Sequence, residues 1–279
     1  MNLIEIRDIG LPELAPFAKL TDHALRAKYE PEKGVFIAES ATVTGVALDA
    51  GYRPLSCLIQ RTRIEKEKEL LARIGSLPGG DSIPIYTAED ALLEKLCGFP
   101  LSRGFFAAFP RPTLPDPRDL LAKSKRVAVL EGVVDPTNVG AILRSAAGIG
   151  IDAVLLSPTC SDPLRRRALR VSMGTSLLLP WTYLASTPAE WETAAPALLR
   201  EYGFTTVALA LRNDALPLSD PRLRESEKLA ILLGAEGDGL SEKVIAGSDY
   251  TVKIPMARGV DSLNVAAASA LAFWELRAR

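Results

Sequence analysis

Short apolar runs along the chain alternate with stretches in which apolar residues recur every three or four positions, the pattern of strands interleaved with helices. Leu3 to Ile6 predicts a first strand, and a helix is predicted from just after Pro12 to about Tyr29. VFIAES (Val35 to Ser40), LSCLIQ, IPIYTA and GFFAAF (Gly104 to Phe109) predict further strands. Between them the pattern predicts helices over ATVTGVALDAGY, over the charged segment Arg61 to Ile74, and over AEDALLEKLCGF. Then PRPTLPDP brings Pro110, Pro112, Pro115 and Pro117 together. Proline at that density continues neither a helix nor a central strand, so residues 110–117 read as an extended linker between a domain at 1–109 and another at 118–279.

The second domain opens with a buried strand, Val127 to Val133, and a turn at Asp135 and Pro136. Asn138 then stands at an expected helix N-cap. The helix buries Val139, Ile142, Leu143 and Ala146 at the spacing of one helical face, with Arg144 just off that stripe. Ala153 to Leu156 and Thr205 to Leu211 read as strands, with a helix over Glu190 to Tyr202. Leu229 to Leu233 and Tyr250 to Met256 are two more strands, each ending in a glycine-bearing loop that leads into a helix-patterned segment. This is an α/β order, and its ligand crevice is expected outside the carboxyl ends of the strands. The loop after the first of these strands carries Glu236 and Asp238 among its glycines, which disfavours a phosphate and favours a neutral or cationic group.

Net charge is −1 and the sequence pI about 6.0. Lys plus Arg stands against Asp plus Glu at 14 to 16 up to Pro117 and at 19 to 18 beyond it, so neither half has the basic bias of a nucleic-acid binder. The densest basic cluster is Arg165, Arg166, Arg167 and Arg170, readable either as a solvated helix face or as a phosphate-backbone contact. Cys57, Cys97 and Cys160 share no metal-ligand spacing and read as buried thiols in a reducing compartment. No metal site is expected. No apolar run is long enough to span a bilayer, and MNLIEIRDIG lacks a signal-peptide pattern, so a cytoplasmic protein without membrane association is expected. A single histidine, His23, far from the glycine loops, argues against a Ser-His-Asp triad and a histidine-paired cysteine nucleophile. Gly148-x-Gly150-x-x-Ala153 fits a dinucleotide-binding spacing, but a helix precedes it and a strand follows. The two glycines read as a helix end.

DPTNVGAILRSAAGIG, LLGAEGDGL and IPMARGVDSLNVAAASA resemble, in order and spacing, the three motifs of the SpoU/TrmH RNA 2′-O-ribose methyltransferases of the SPOUT class. The resemblance covers roughly residues 125–279. The N-terminal part, mainly through FIAES and GFFAAF, is similar to the smaller ribosomal-protein-like α/β substrate-binding domain that many members carry. The resemblance implies a C-terminal parallel-sheet domain with a trefoil knot, S-adenosylmethionine as cofactor, and a homodimer formed through the C-terminal domain. It implies methyl transfer to a ribose 2′-hydroxyl of structured RNA, ribosomal RNA more than transfer RNA.

Carried over by motif, Gly234, Ile254, Met256 and Leu263 are the implied cofactor-binding positions, and Asn138, Arg144, Glu236, Ser262 and Asn264 the implied catalytic set. Arg165, Arg166, Arg167 and Arg170 are candidate RNA contacts. The family's arginine has been proposed as the base, but a guanidinium does not deprotonate in proteins, and Arg144 is read here as a phosphate grip and oxyanion stabiliser. Ala266 and Ala267 depart from the family pattern, in which a serine often follows the Asn-Val pair. Two other readings stay open: a non-catalytic RNA-binding or assembly factor that kept the fold, and an RNA base methyltransferase of the same class.

Overall fold

The computed structural model describes residues 2–21 and 29–278, in two compact units. The first comprises Met1–Thr113 with Leu164–Leu177, the second Leu114–Pro163 with Leu178–Arg279. His23 lies outside the described residues, as does most of the second half of the helix predicted up to Tyr29.

The first unit is built on a five-stranded mixed sheet of β1 (Asn2–Glu5), β2 (Val35–Glu39), β3 (Ser56–Gln60), β4 (Pro84–Ala88) and β5 (Phe105–Pro110), in the order β1-β4-β3-β5-β2. β1, β4 and β3 run parallel, while β5 is antiparallel to both β3 and β2. Ile37, Leu58 and Phe106 from the sheet pack with Leu14, Phe17 and Leu93 in one core. Two predicted helices are shorter than expected. Pro12–Phe17 is a 3-10 helix with Pro16 inside it, and Ala18 is already extended, as a residue without an amide donor cannot continue an α-helical ladder. Arg61–Arg63 is a separate 3-10 turn, and the α-helix begins only at Lys68, where Leu70, Leu71 and Ile74 supply a buried face.

Segment Leu164–Leu177, assigned from sequence to the second domain, belongs to the first unit. Its helix Arg166–Val171 buries Ala168 and Leu169 and packs on β2. Arg166 and Arg170 both pair with Glu39, at 3.6 and 3.3 Å, and the side chains of Glu39 and Arg166 are only 6% and 14% exposed. Arg166 also donates to the Leu20 carbonyl and lies over the Phe99 ring. These pairings link positions far apart in the chain and leave no local trace in the pattern.

The second unit holds a seven-stranded parallel sheet. Its strands are β6 (Arg126–Leu130), β7 (Ala153–Leu156), β8 (Trp181–Tyr183), β9 (Thr205–Leu209), β10 (Leu216–Pro217), β11 (Leu229–Leu233) and β12 (Tyr250–Lys253), in the order β10-β12-β9-β11-β6-β7-β8. β6, β7 and β11 are buried throughout, as strands covered on both faces must be. From β6 the chain steps outward to β7 and β8, then crosses to β9 on the other side, and β11 inserts between β9 and β6. That reversal is where an open α/β sheet leaves a crevice at its strand ends. Four short elements were not predicted. Helix Pro117–Lys123, capped by Asp116, begins at the last residue of the expected linker, Pro221–Arg224 is a 3-10 helix, and β8 and β10 have only three and two residues. Pro117 there sits in the first turn of a helix, where its missing amide costs nothing.

The cap of helix Pro136–Ile149 also differs from expectation. Asp135 Oδ1 accepts from the Thr137 amide at 2.7 Å, so Asp135 is the N-cap and Asn138 lies inside the first turn. The predicted apolar stripe of Val139, Ile142, Leu143 and Ala146 is buried, and Gly150 ends the helix at φ 94°. The glycines of the apparent dinucleotide motif therefore close a helix. All three cysteines are buried.

Candidate functional site

The carboxyl ends of β9, β11 and β12 and the segments that follow them enclose a cleft of about 720 Å³. Gly234, Ile254, Met256 and Leu263 all line it, as do Glu236, Ser262 and Asn264. Leu209, Leu233, Ile245 and Val252 add aliphatic wall. The end of β9 and the residues after it, Leu209 to Arg212, also line the cleft, although nothing in their local sequence marks a ligand contact.

Loop 235–239 is closed on itself by a reciprocal pair of backbone hydrogen bonds between Ala235 and Gly239, both at 3.1 Å. Gly237 and Gly239 take φ of +90° and +70°, which side chains other than glycine rarely adopt. A Cβ on Gly234 would stand 2.1 Å from the Gly239 carbonyl carbon and 2.2 Å from the Leu240 amide. The absence of a side chain at Gly234 lets the loop fold back onto the end of β11; its close approach is to the chain's own backbone.

Glu236, carried at the tip of this loop, meets the two predicted asparagines. Asn264 Nδ2 donates to Asn138 Oδ1 at 3.0 Å and also to Glu236 Oε1. Asn264 Oδ1 accepts from the Ala266 amide at 2.9 Å, capping helix Val265–Leu276. Asn264 thus uses both ends of its carboxamide, and the cap fixes which way the amide faces. Asn138 is 7% exposed, and helix Pro136–Ile149 packs against helix Val265–Leu276. Three residues separated by as many as 126 positions form one polar cluster at the edge of the cleft.

Four carboxylates line the cleft, Glu236, Asp238, Glu242 and Asp261, against two cations, Arg212 and Lys253. Arg212 pairs with Glu242, and Lys253 donates to the Arg212 and Asn213 carbonyls at 3.2 and 3.4 Å. The remaining charge is acidic, so the cleft suits a cation better than an anion.

Arg144 is exposed on helix Pro136–Ile149 and does not line the cleft. Arg165 and Arg167 are exposed in the first unit, whereas Arg166 and Arg170 are engaged by Glu39. Among the described residues no group of His, Cys, Asp and Glu is placed to hold a metal ion, and no helix is long and apolar enough to cross a membrane. Glu131, just after β6, is not singled out by the sequence pattern. A carboxylate closing an apolar strand run was the available signal.

Residues 125–274 match the model of the SpoU rRNA Methylase family. An uncharacterized tRNA/rRNA methyltransferase of Mycobacterium tuberculosis is 38% identical over 276 residues, covering 99% of this chain and 92% of its own length. The 23S rRNA (guanosine-2'-O-)-methyltransferase RlmB of Acinetobacter baylyi is 32% identical over 75% of this chain and 84% of its own. Among solved structures, an AdoMet-bound rRNA methyltransferase from Sinorhizobium meliloti superposes with a TM-score of 0.80 at 22% identity, over 99% and 97% of the two chains. A structure described as an RNA 2'-O ribose methyltransferase does so with a TM-score of 0.76 at 26% identity, over 98% of each. The three motifs that build the cleft and its polar cluster all fall within the matched region, and the chain belongs to the SpoU rRNA Methylase family of RNA methyltransferases.

Proposed function

We propose that this protein transfers a methyl group from S-adenosylmethionine to a ribose 2′-hydroxyl in structured RNA, ribosomal RNA in preference to transfer RNA. The observation that carries the reading is the Asn138–Asn264–Glu236 cluster at the edge of an acidic cleft built on three parallel strand ends. A sulfonium cofactor carries positive charge and no phosphate, which fits the carboxylate excess, and aliphatic side chains with strand-end backbone fit its uncharged parts. Gly234, Ile254, Met256 and Leu263 would hold it. When bound, it supplies an electrophilic methyl group.

The chain's own residues supply alignment and charge. Asn264 fixes Asn138 and Glu236 relative to one another, and Ser262 adds a hydroxyl on the same wall. Glu236 is the carboxylate of the cluster and the candidate acceptor for the hydroxyl proton. Arg144 grips the phosphate beside the target ribose and stabilises the developing alkoxide. Because Arg144 lies outside the cleft of its own chain, this role requires the homodimer that we also propose. Its supporting surface is the apolar face of helix Val265–Leu276, where Leu271 and Trp274 are 47% and 58% exposed.

The first unit serves in this reading as an RNA-docking module, with Arg165 and Arg167 facing solvent for phosphate contact. The threading of β11 between β9 and β6, followed by packing of the final helix on helix Pro136–Ile149, supports a trefoil knot. Pulling single molecules by their ends tests it, since a knotted chain stretches to less than its contour length.

Arg144→Ala tests the division of labour. Methylation is expected to fall at least a hundredfold while S-adenosylmethionine affinity by calorimetry stays within about twofold. An equal loss of both would assign Arg144 to folding. The RNA preference is tested by mapping 2′-O-methyl groups in ribosomal and transfer RNA from cells with and without the gene: loss of a ribosomal site is expected, and loss confined to transfer RNA would reverse the assignment.

A further inference from the structure

Glu131 follows β6 and is half-buried in the second unit. Its Oε1 accepts from the Trp191 indole Nε1 at 3.0 Å, and its Oε2 accepts from the Ser241 amide at 2.9 Å. Trp191 is 2% exposed and sits in the core beside Leu240 and Val244, so one end of the carboxylate is anchored to an immobile ring. The other end reaches the residue that begins helix Glu242–Ala246. That helix has no cap from the Ser241 side chain, and Ser241 Oγ is buried without a hydrogen-bond partner. Glu131 therefore takes, from the end of β6, the place that a glutamate three residues after the cap fills in a local capping box, accepting from the N-cap amide.

Loop 235–239 lies between two fixed points. Its entrance is held by the close packing of Gly234 on Gly239 and Leu240, and its exit, Leu240 to Ser241, is held by Glu131. The loop bears Glu236, which must meet Asn264, and its backbone forms one wall of the cleft. The Ala235–Gly239 hydrogen bonds tie the loop to itself, whereas the hydrogen bonds from Trp191 to Glu131 and from Ser241 to Glu131 tie its exit to the core.

We infer that Glu131 is a positioning residue for the reaction: through Ser241 it sets the 235–240 loop, and with it the acidic wall of the cleft and the reach of Glu236 to Asn264. This rests on the S-adenosylmethionine reading for its effect on affinity, but not for its effect on the loop.

Three variants of the full chain test it with two readouts. The first is amide hydrogen exchange at Ala235, Gly239 and Ser241 without added ligand. The second is S-adenosylmethionine affinity by calorimetry. Glu131→Gln keeps the shape but can satisfy only one of the two donors; the loop amides are expected to exchange about tenfold faster and the affinity to fall about tenfold. Glu131→Ala is expected to exceed both effects. Trp191→Phe removes the anchor but keeps the Glu131–Ser241 bond, and both loop exchange and affinity are expected to change in the same direction as in Glu131→Gln but by less, about threefold. If Glu131→Gln melts lower but leaves loop exchange and affinity unchanged, Glu131 is only a core residue and the inference is overturned. If the parent protein itself fails to bind S-adenosylmethionine, the proposed function fails. Loop exchange then decides the positioning claim alone, faster exchange upholding it and unchanged exchange overturning it.

Discussion

Asn264 does two jobs with one carboxamide, and substitution can separate them. Asn264→Asp keeps an oxygen to accept from the Ala266 amide, so the helix cap survives. It loses both donors and sets a second carboxylate against Glu236. Asn264→Asp is expected to keep the roughly 1 kcal/mol of the cap but to lose about 1–2 kcal/mol through the unsatisfied Asn138 oxygen and the facing carboxylate, with methyl transfer lost, whereas Asn264→Ala is expected to lose transfer and the cap as well. Urea unfolding beside a methylation assay reads both, and transfer retained by the aspartate variant would refute the role. Gly234→Ala is the counterpart in the loop. Its Cβ would collide with the backbone of Gly239 and Leu240, which cannot swing aside as a side chain can. A destabilisation of about 1–3 kcal/mol with loss of cofactor binding is expected. Burial pushes the Cys57 thiol up to about 12 and raises that of Cys160 as well. A thiol reagent at pH 8 is therefore expected to leave both unmodified in the native protein and to modify them on unfolding. Since an unfolded thiol ionises near pH 9, the neutral buried form of Cys57 gives stability that is lost as pH rises from about 9 toward 12.

At the scale of elements, local signals were read well where they were local. β11 and the buried face of helix Pro136–Ile149 followed from apolar spacing alone, and the loop at 234–241 stood out by placing carboxylates among glycines. Asn138 was misread as a cap because the pattern cannot tell which of several capping residues is used. Asp135 with Pro136 after it is the better cap, and this frees Asn138 to face Asn264. The basic cluster shows the opposite limit. Spacing placed four arginines together but could not show that Glu39 binds two of them. Glu39→Ala would leave Arg166 nearly buried without its carboxylate, and a loss of about 2–4 kcal/mol is expected by urea unfolding. By contrast, Arg165→Ala is expected to leave stability within about 0.5 kcal/mol and to weaken RNA binding more at low salt than at high. A large loss of stability from this exposed position would reverse the partition.

On the scale of the whole molecule, segment 164–177 joins the first unit although it interrupts the sequence of the second. Cutting the chain at the proline-rich linker therefore removes a helix from the N-terminal piece. Residues 1–117 alone are expected to expose the β2 face that helix Arg166–Val171 covers. The proposed homodimer belongs to this scale too. Trp274→Glu, on the exposed face of the last helix, is expected to give monomers by sedimentation and to lose methylation without losing the fold, because Arg144 would no longer meet a cleft. An active monomer would exclude that role.

The central claim is that the acidic cleft and its asparagine–glutamate cluster direct a methyl group onto ribose. It is tested most directly by incubating the purified protein with unmethylated ribosomal RNA and S-adenosylmethionine labelled in its methyl group, then separating the nucleosides by mass spectrometry. The account predicts label on the ribose of one nucleoside, absent with Asn264→Asp. Label on a base, or none in either RNA or control digests, would contradict it.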